Sequence, residues 1–190
     1  MALFYRGAGP GTYWALNDAR LQGFVPRQPG ALPNITRLMS HIRLGTTTSP
    51  YISLSRSFGV ARGYALVGTA GAADPSNPGY VYEIELSEPL PTGLEVLDPI
   101  QGIARILNSP LASPTYHHDG DRNFVIGVID PGSYADLLNT PILTPLTDAT
   151  PRTANLSEQL ETLLRALRDA EILATGNIPT ACIVNRHEVF

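Results

Sequence analysis

The chain has 190 residues, of which 43% are hydrophobic and only 16% charged, and its formal net charge is −4. This length suits one domain with a sizeable core, and the negative balance without a basic cluster argues against a nucleic-acid partner. No apolar run approaches the roughly 20 residues that span a bilayer, no signal peptide is visible, and the single Cys182 excludes an intrachain disulfide.

The first half of the chain predicts short strands and helices separated by Gly- and Pro-rich turns. They are a buried strand over 3–6, a helix from a Thr12 cap to about residue 22, a helix capped by Asn34, a strand over 51–55 and a helix capped by Ser57. The segment from Tyr80 to Leu86 alternates apolar and polar positions, which is typical of a half-buried strand.

The second half predicts a strand over 94–97, a helix over 100–107, a central strand over 123–129 and a long helix with a leucine stripe from 156 to 173, stopped by Gly176. A closing strand is expected over 181–184 and 189–190, around a polar turn at 185–188. Because strands and helices do not alternate regularly, the order predicts an α+β fold. We expect a core over residues 1–140, and a C-terminal helix and closing strand over 141–190 within the same domain.

Two segments carry residues with a chemical use. Arg6 ends the first strand and offers a planar fork of donors that suits a pyrophosphate or a ribose hydroxyl. Ser53 and Ser55 lie two residues apart on a strand, so their hydroxyls share a face and are held more rigidly than they would be on a loop. Together they predict a site that grips a polar, phosphate-bearing ligand.

In order and spacing, these segments resemble the bacterial toxin-like mono-ADP-ribosyltransferases over about the first 140 residues. Phe4-Tyr5-Arg6-Gly7 is similar to the first motif of the family, Ser53-Leu54-Ser55 to the second, and Gly63-Tyr64-Ala65 to the end of the following helix. The resemblance implies a split β-sandwich with flanking helices, and NAD as the substrate that donates ADP-ribose. It implies catalytic roles for Arg6 and Ser53, and the implied NAD-binding residues are Tyr5, Arg6, Gly7, Tyr51, Ser53, Ser55 and Tyr64.

The third motif of the family is a Glu, alone or as Gln-x-Glu or Glu-x-Glu, at the start of a later strand. The stretch expected to match it, residues 116–126, contains no Glu. We therefore predict Asp121 as the catalytic carboxylate, with Asp119 and Asn123 as secondary candidates. Glu83 and Glu85 fall on the preceding strand and are interpreted as structural or exposed.

The histidines have less specific interpretations. Adjacent His117 and His118 point to opposite sides of an extended chain, so with Asp119 and Asp121 they favour a polar loop near the cleft over a metal site. No metal is predicted. His41 is interpreted as an ordinary surface or packed residue.

The resemblance implies an enzyme that transfers ADP-ribose from NAD to a macromolecule, with a protein as the expected acceptor. Such a protein would be a secreted toxin or an effector delivered into the cytosol of a target cell, and no membrane partner is expected. Two alternatives stay open: an NAD glycohydrolase on the same scaffold, which uses water as acceptor, and a catalytically inactive binding module, which the missing Glu favours.

Overall fold

The computed structural model describes residues 1–45, 48–107 and 158–190. The helices in these ranges are α1 (Tyr13–Leu16), α2 (Ala19–Gln22), α3 (Ile35–Leu44), α4 (Phe58–Ala65), α5 (Pro99–Leu107) and α6 (Glu158–Arg168), with a 3-10 turn over Thr180–Cys182. The strands are β1 (Ala2–Ala8), β2 (Tyr51–Ser55), β3 (Val67–Gly68), β4 (Gly71–Ala72), β5 (Gly79–Leu86), β6 (Glu95–Leu97), β7 (Glu171–Thr175) and β8 (Ile183–Val189). None of these helices has the length and apolar character that crossing a bilayer requires.

The described strands form one large sheet and a small hairpin. The sheet has the order β6-β7-β2-β1-β5-β8, and every pair of neighbours in it runs antiparallel. The short strands β3 and β4 pair only with each other. An antiparallel sheet flanked by helices confirms the α+β class that the sequence predicts.

The sheet is nearly divided between its two central strands. β1 pairs with β5 from Ala2 to Ala8, and β2 pairs with β7 along its whole length, but β1 and β2 share only the pair Tyr5↔Ser55. Two three-stranded halves therefore diverge on either side of this single pair. The divergence leaves room for side chains between β1 and β2.

Hydrophobic clusters cover both faces of the sheet, because successive side chains of a strand point to opposite faces. One cluster joins β1, β2 and β5 through Phe4, Leu54 and Ile84, and the buried Phe24 packs against them. On the opposite face, α4 packs over β1 and β5, while α3, α5 and α6 pack over β2 and β7. The helices thus fix the positions of the two strands that flank the opening.

The local capping signals are confirmed at two helices and corrected at a third. The side chain of Asn34 accepts a hydrogen bond from the Arg37 amide, and that of Ser57 accepts one from the Val60 amide, so both residues cap as predicted. The expected helix over 12–22 is two single turns instead. Asp18 separates them, because its carboxylate accepts from the Arg20 amide and caps a new helix start.

The C-terminal prediction needs a larger correction. The helix ends at Arg168 rather than continuing to residue 173, and Ala170 adopts a left-handed φ of 45° that breaks the helical path. Residues 171–175 form β7, which lies between β6 and β2 inside the sheet. The expected polar turn at 185–188 is part of β8, which pairs with β5. The predicted central strand over 123–129 lies outside the described residues.

Candidate functional site

A cavity of about 390 Å³ opens where β1 and β2 diverge. Its walls come from β1, β2, the segment 12–14, helices α3 and α4, and the turn between α6 and β7. Its lining includes the aromatic residues Tyr13, Trp14 and Tyr64 beside a few charged groups. A concave, partly aromatic site of this size with convergent polar groups is typical of a small-molecule site.

Arg6 projects from β1 and crosses the opening. Its Nη1 donates a hydrogen bond of 2.5 Å to the Ser53 carbonyl oxygen on β2, and its guanidinium carbon lies 5.5 Å from the centre of the Phe24 ring. Its Nε is buried and has no hydrogen-bond partner among the described residues. Burial lowers the pKa of Arg6 to about 10, against the opposing effect of the nearby Glu171 charge, so the side chain remains a cation at neutral pH.

Ser53 lies opposite a buried histidine. His41 Nε2 is 2.7 Å from the Ser53 hydroxyl, and His41 Nδ1 is 2.6 Å from the Ser49 hydroxyl. Burial, followed by the charge of Arg6, lowers the pKa of His41 to about 4. The imidazole is therefore neutral at pH 7, and it is a packed residue that connects two hydroxyl groups.

Glu171 is a candidate site residue that the sequence predictions missed. It begins β7 and is the cross-strand partner of Ser55, and its side chain is only 8% exposed. Its carboxyl group hydrogen-bonds with Ser53 and lies 3.9 Å from His41 Nε2. Burial and then the charge of Asp169 raise the pKa of Glu171 to about 8.

When Glu171 is ionised, its contacts set the direction of a chain of hydrogen bonds. The Tyr51 amide can only donate, and it donates to the Ser49 hydroxyl at 3.1 Å. The carboxylate of Glu171 can only accept, so the Ser53 hydroxyl donates its hydrogen bond to this carboxylate. Between these ends, the Ser49 hydroxyl donates to His41 Nδ1, and Nε2–H donates to Ser53. The chain holds the Ser53 hydroxyl in one orientation.

Asp169, the neighbouring carboxylate, is already engaged. Arg168 holds it with two hydrogen bonds, each 2.7 Å long, and the Tyr64 hydroxyl donates to it at 2.7 Å. Tyr64 is 53% exposed and lines the cavity. Burial and the Asp169 charge raise the pKa of this phenol, so it stays protonated and donates. Asp169 therefore ties Tyr64 to the edge of the site.

The structure brings most of the predicted site residues of the first two motifs together. Tyr5, Gly7 and Ser55 all line the cavity. Their contacts are largely internal: Tyr5 packs edge-to-face on Phe58, and the Ser55 hydroxyl donates to the Asp169 carbonyl oxygen at 2.7 Å. These residues shape the wall, while Arg6 and Ser53 offer groups to its interior.

Tyr51, which the resemblance placed in the NAD site, does not line the cavity. It is 2% exposed and packs in the cluster that includes Leu38, Leu163 and Leu173. Its hydroxyl donates to the Asn34 carbonyl oxygen at 3.1 Å. The reason is its position at the start of β2, where α3 and α6 cover the sheet face.

Asp121, the predicted carboxylate, lies outside the described residues, together with Asp119, Asn123, His117 and His118. Within the described ranges, no group of three or more His, Cys, Asp or Glu side chains is arranged to hold a metal ion.

Glu83 lies on β5 and contacts His187, with 2.9 Å between Oε1 and Nε2.

A sequence signal for Glu171 was present. The third motif of the resembled family is a Glu at the start of a strand, and Glu171 directly precedes the apolar run Ile172-Leu173-Ala174. The leucines from 156 to 167 have helical spacing, and the prediction extended this stripe to Leu173, so it included the run in the preceding helix. For His41 we find no such signal, because its role depends on hydroxyls that only folding brings to it.

Compared with known proteins, the sequence matches no family model, and it matches no curated protein.

Proposed function

We propose that the chain is a mono-ADP-ribosyltransferase with the split β-sandwich architecture of that family, and that it transfers ADP-ribose from NAD to a protein. One observation carries the proposal: Arg6 on β1, Ser53 on β2 and Glu171 on β7 meet at one cavity, although they are far apart in sequence. An arginine, a strand serine and a glutamate at the start of a strand are the three parts that the resemblance requires. In this proposal Glu171 takes the role predicted for Asp121.

The chemistry follows from the charges of NAD. Breaking the bond between nicotinamide and ribose builds positive charge on the sugar, and a carboxylate beside the reacting carbon stabilises that charge. Glu171 would supply this carboxylate, and Ser53 would orient it and the nicotinamide ribose. Arg6 would bind the phosphate-bearing part of NAD, which its unpartnered Nε suits.

The raised pKa of Glu171 gives the site a way to respond to its substrate. Near neutral pH much of the free site holds this carboxyl protonated. The nicotinamide ring of NAD is cationic, so its binding favours the ionised form by direct attraction. The same carboxylate can then accept a proton from the attacking group, as a general base does.

The proposal is tested with labelled NAD and a cell lysate, using the wild-type chain and the variants Arg6→Ala and Glu171→Gln. We expect labelling of protein by the wild type and a loss of about 10²- to 10⁴-fold in both variants, as for removal of a general base or an electrostatic stabiliser. Glu95→Gln is the matched control, because this glutamate is exposed on β6 and does not line the cavity.

Asp121→Ala separates the two candidate carboxylates. Labelling that survives in Asp121→Ala and disappears in Glu171→Gln supports Glu171, and the reverse result supports Asp121. If neither Arg6→Ala nor Ser53→Ala changes the biological activity, the chain acts as a binding module instead.

NAD hydrolysis is the second candidate function, and one observation favours it. Among the described residues that line the cavity, Asp169 is the one carboxylate besides Glu171, and Arg168 and Tyr64 already occupy it. The described wall therefore offers no free acidic group to bind an acceptor side chain, whereas water needs none. Nicotinamide release from NAD in the absence of any protein acceptor, at the rate seen with lysate, would identify a glycohydrolase.

A further inference from the structure

One wall of the cavity belongs to residues 12–22, a segment that we call the strap. Thr12, Tyr13 and Trp14 at its start line the cavity. The Trp14 ring packs edge-to-face on Tyr13 and on Phe24, with 4.8 Å between ring centres in both pairs. The position of the strap therefore sets the shape of this wall.

The strap has little stability of its own. Its two helical turns, α1 and α2, have four residues each, and isolated helices shorter than about 12–15 residues are only marginally stable in water. In the described part of the chain, the backbone–backbone hydrogen bonds of residues 13–22 are all local. Leu16 and Leu21 are 74% and 83% exposed, so they do not anchor the strap. Its order depends on contacts with the sheet.

Tyr82 on β5 makes two of these contacts. Its hydroxyl donates to the Trp14 carbonyl oxygen at 2.7 Å and accepts from the Ala19 amide at 3.3 Å. Burial raises the pKa of Tyr82, so the phenol keeps the proton that it donates. One fully buried side chain thus joins both helical turns of the strap to the sheet.

Arg186 on β8 provides a second anchor. Its Nη1 donates to Asp18 Oδ2 at 3.0 Å, and its Nη2 lies 3.5 Å from the Ala15 carbonyl oxygen. The guanidinium carbon is 3.4 Å from the centre of the Tyr80 ring, so a residue of the neighbouring strand holds it in place. The Arg186 and Asp18 side chains are mostly buried, and solvent therefore screens their attraction less than that of a surface pair.

We infer that Tyr82 and Arg186 are positioning residues, which hold Trp14 in place so that a ligand meets a preformed cavity wall. Neither side chain lines the cavity, so both act through the strap. A preformed wall raises affinity, because binding does not have to order it. The inference rests on the proposed function only for the identity of the ligand, which is NAD.

The inference is tested with the fluorescence of Trp14, the only tryptophan of the chain, and with the kinetics of nicotinamide release from NAD. We expect Tyr82→Phe and Arg186→Gln each to raise the acrylamide quenching constant of Trp14 in the ligand-free full chain. Each should also raise the KM for NAD by about 10-fold and leave kcat unchanged, because the lost contacts order the wall before the reaction begins. Arg186→Lys keeps a cation beside Asp18 and should restore part of the affinity.

Arg20→Gln is the matched control. Arg20 pairs with the same Asp18 carboxylate, but it belongs to the strap, so its loss leaves the link to the sheet intact. We expect neither the quenching constant nor the KM to change. Asp18→Asn keeps an oxygen that can cap α2 and weakens the bond with Arg186, so it should behave like Arg186→Gln. If Tyr82→Phe does not fold, Asp18→Asn and Arg186→Gln decide the outcome.

Three results would overturn the inference: an unchanged quenching constant in the anchor variants, a fall in kcat with unchanged KM, or an equal rise in quenching in Arg20→Gln. Failure of the proposed function looks different. Higher quenching in the anchor variants, with no nicotinamide release by the wild-type chain, would leave the anchors in place and remove NAD as the substrate. Nicotinamide release with the same KM in all variants would keep NAD as the substrate and remove the anchors.

Discussion

At the scale of single residues, Glu171 occupies a position that favours its protonated form. Its pKa is about 8 in the fold and about 4.5 in an unfolded chain. The folded state therefore holds the proton more tightly, and the contribution of Glu171 to stability is fully present below about pH 4.5 and is lost as pH rises through 8. Burial raises the pKa of Glu171 most and the charge of Asp169 raises it further, while the Ser53 hydroxyl and the charges of Arg168 and Arg6 lower it.

Glu171→Gln is therefore expected to be more stable than the wild type at pH 8 and similar to it at pH 4.5. The amide keeps the shape of the side chain but cannot ionise, so the fall in stability with pH disappears. Urea unfolding at both pH values measures the difference in the free energy of unfolding. An identical pH dependence in the two proteins would show that Glu171 titrates normally.

His41 is expected to act as a neutral positioning residue. His41→Phe fills the same space but leaves the Ser49 and Ser53 hydroxyls without their shared partner. For the proposed reaction, we expect NAD turnover to fall by about 10-fold while the chain stays folded, because the Ser53 hydroxyl loses the hydrogen bond that orients it, and such a bond is worth about 0.5–1.5 kcal/mol. Since the pKa of His41 is about 4, the wild-type pH–rate profile should show no inflection near pH 6.5. Such an inflection, absent in His41→Phe, would contradict the neutral role.

At the scale of elements, the close approach of α4 to β1 depends on a glycine. A Cβ on Gly7 would collide with the Ala61 carbonyl oxygen and press on the Tyr64 side chain. Gly7 thus serves helix packing, and through Tyr64 it fixes one wall of the cavity. Its match to the first motif of the resembled family has a structural reason that is independent of any ligand.

Gly7→Ala should destabilise the chain by about 1–3 kcal/mol, since overpacking forces α4 away from β1. Gly63→Ala is the matched control on the same helix, because a Cβ there meets no atom within 4 Å. It should stabilise the chain by about 0.5–1 kcal/mol through the better helix propensity of alanine. Equal destabilisation by both substitutions, measured by denaturant midpoints, would contradict this account of the α4–β1 contact.

At the scale of the whole molecule, the C-terminal segment completes the sheet. β7 lies between β6 and β2, and β8 covers the outer edge of β5. All five residues of β7 are buried, and Ile172 and Leu173 belong to the two clusters on opposite faces of the sheet. The same strand brings Glu171 to the cavity, so the C-terminal segment contributes to both stability and the site.

A fragment of residues 1–140 is expected not to fold cooperatively, although it contains the expected core and the first two motifs. It lacks β7, so the edge of β2 that pairs with β7 is exposed. It also lacks α6, so part of one apolar face of the sheet is uncovered. Circular dichroism and thermal melts of the fragment and the full chain test this. A cooperative melt of the fragment alone would show that β7 is dispensable.

The sequence predicted those site residues whose signals lie within a few neighbouring residues of the chain. Arg6, Ser53 and Ser55 were identified because each lies in a short strand with a readable pattern, and Asn34 and Ser57 because capping is a contact within one turn. Glu171 was assigned to a helix because leucine spacing cannot distinguish a buried helix from a short central strand. Tyr51 was placed in the cavity by the resemblance, which cannot show that α3 and α6 cover this end of β2.

The sequence by itself determined the α+β class, the positions of most described strands and the two segments that carry Arg6 and Ser53, since these depend on contacts between near neighbours in the chain. The tertiary structure alone decided that β7 enters the sheet beside β2, that β1 and β2 diverge, and that Glu171 and His41 reach the resulting cavity. These features depend on pairings between distant residues. Burial then sets the charge state of Glu171 and His41, which no local pattern in the sequence encodes.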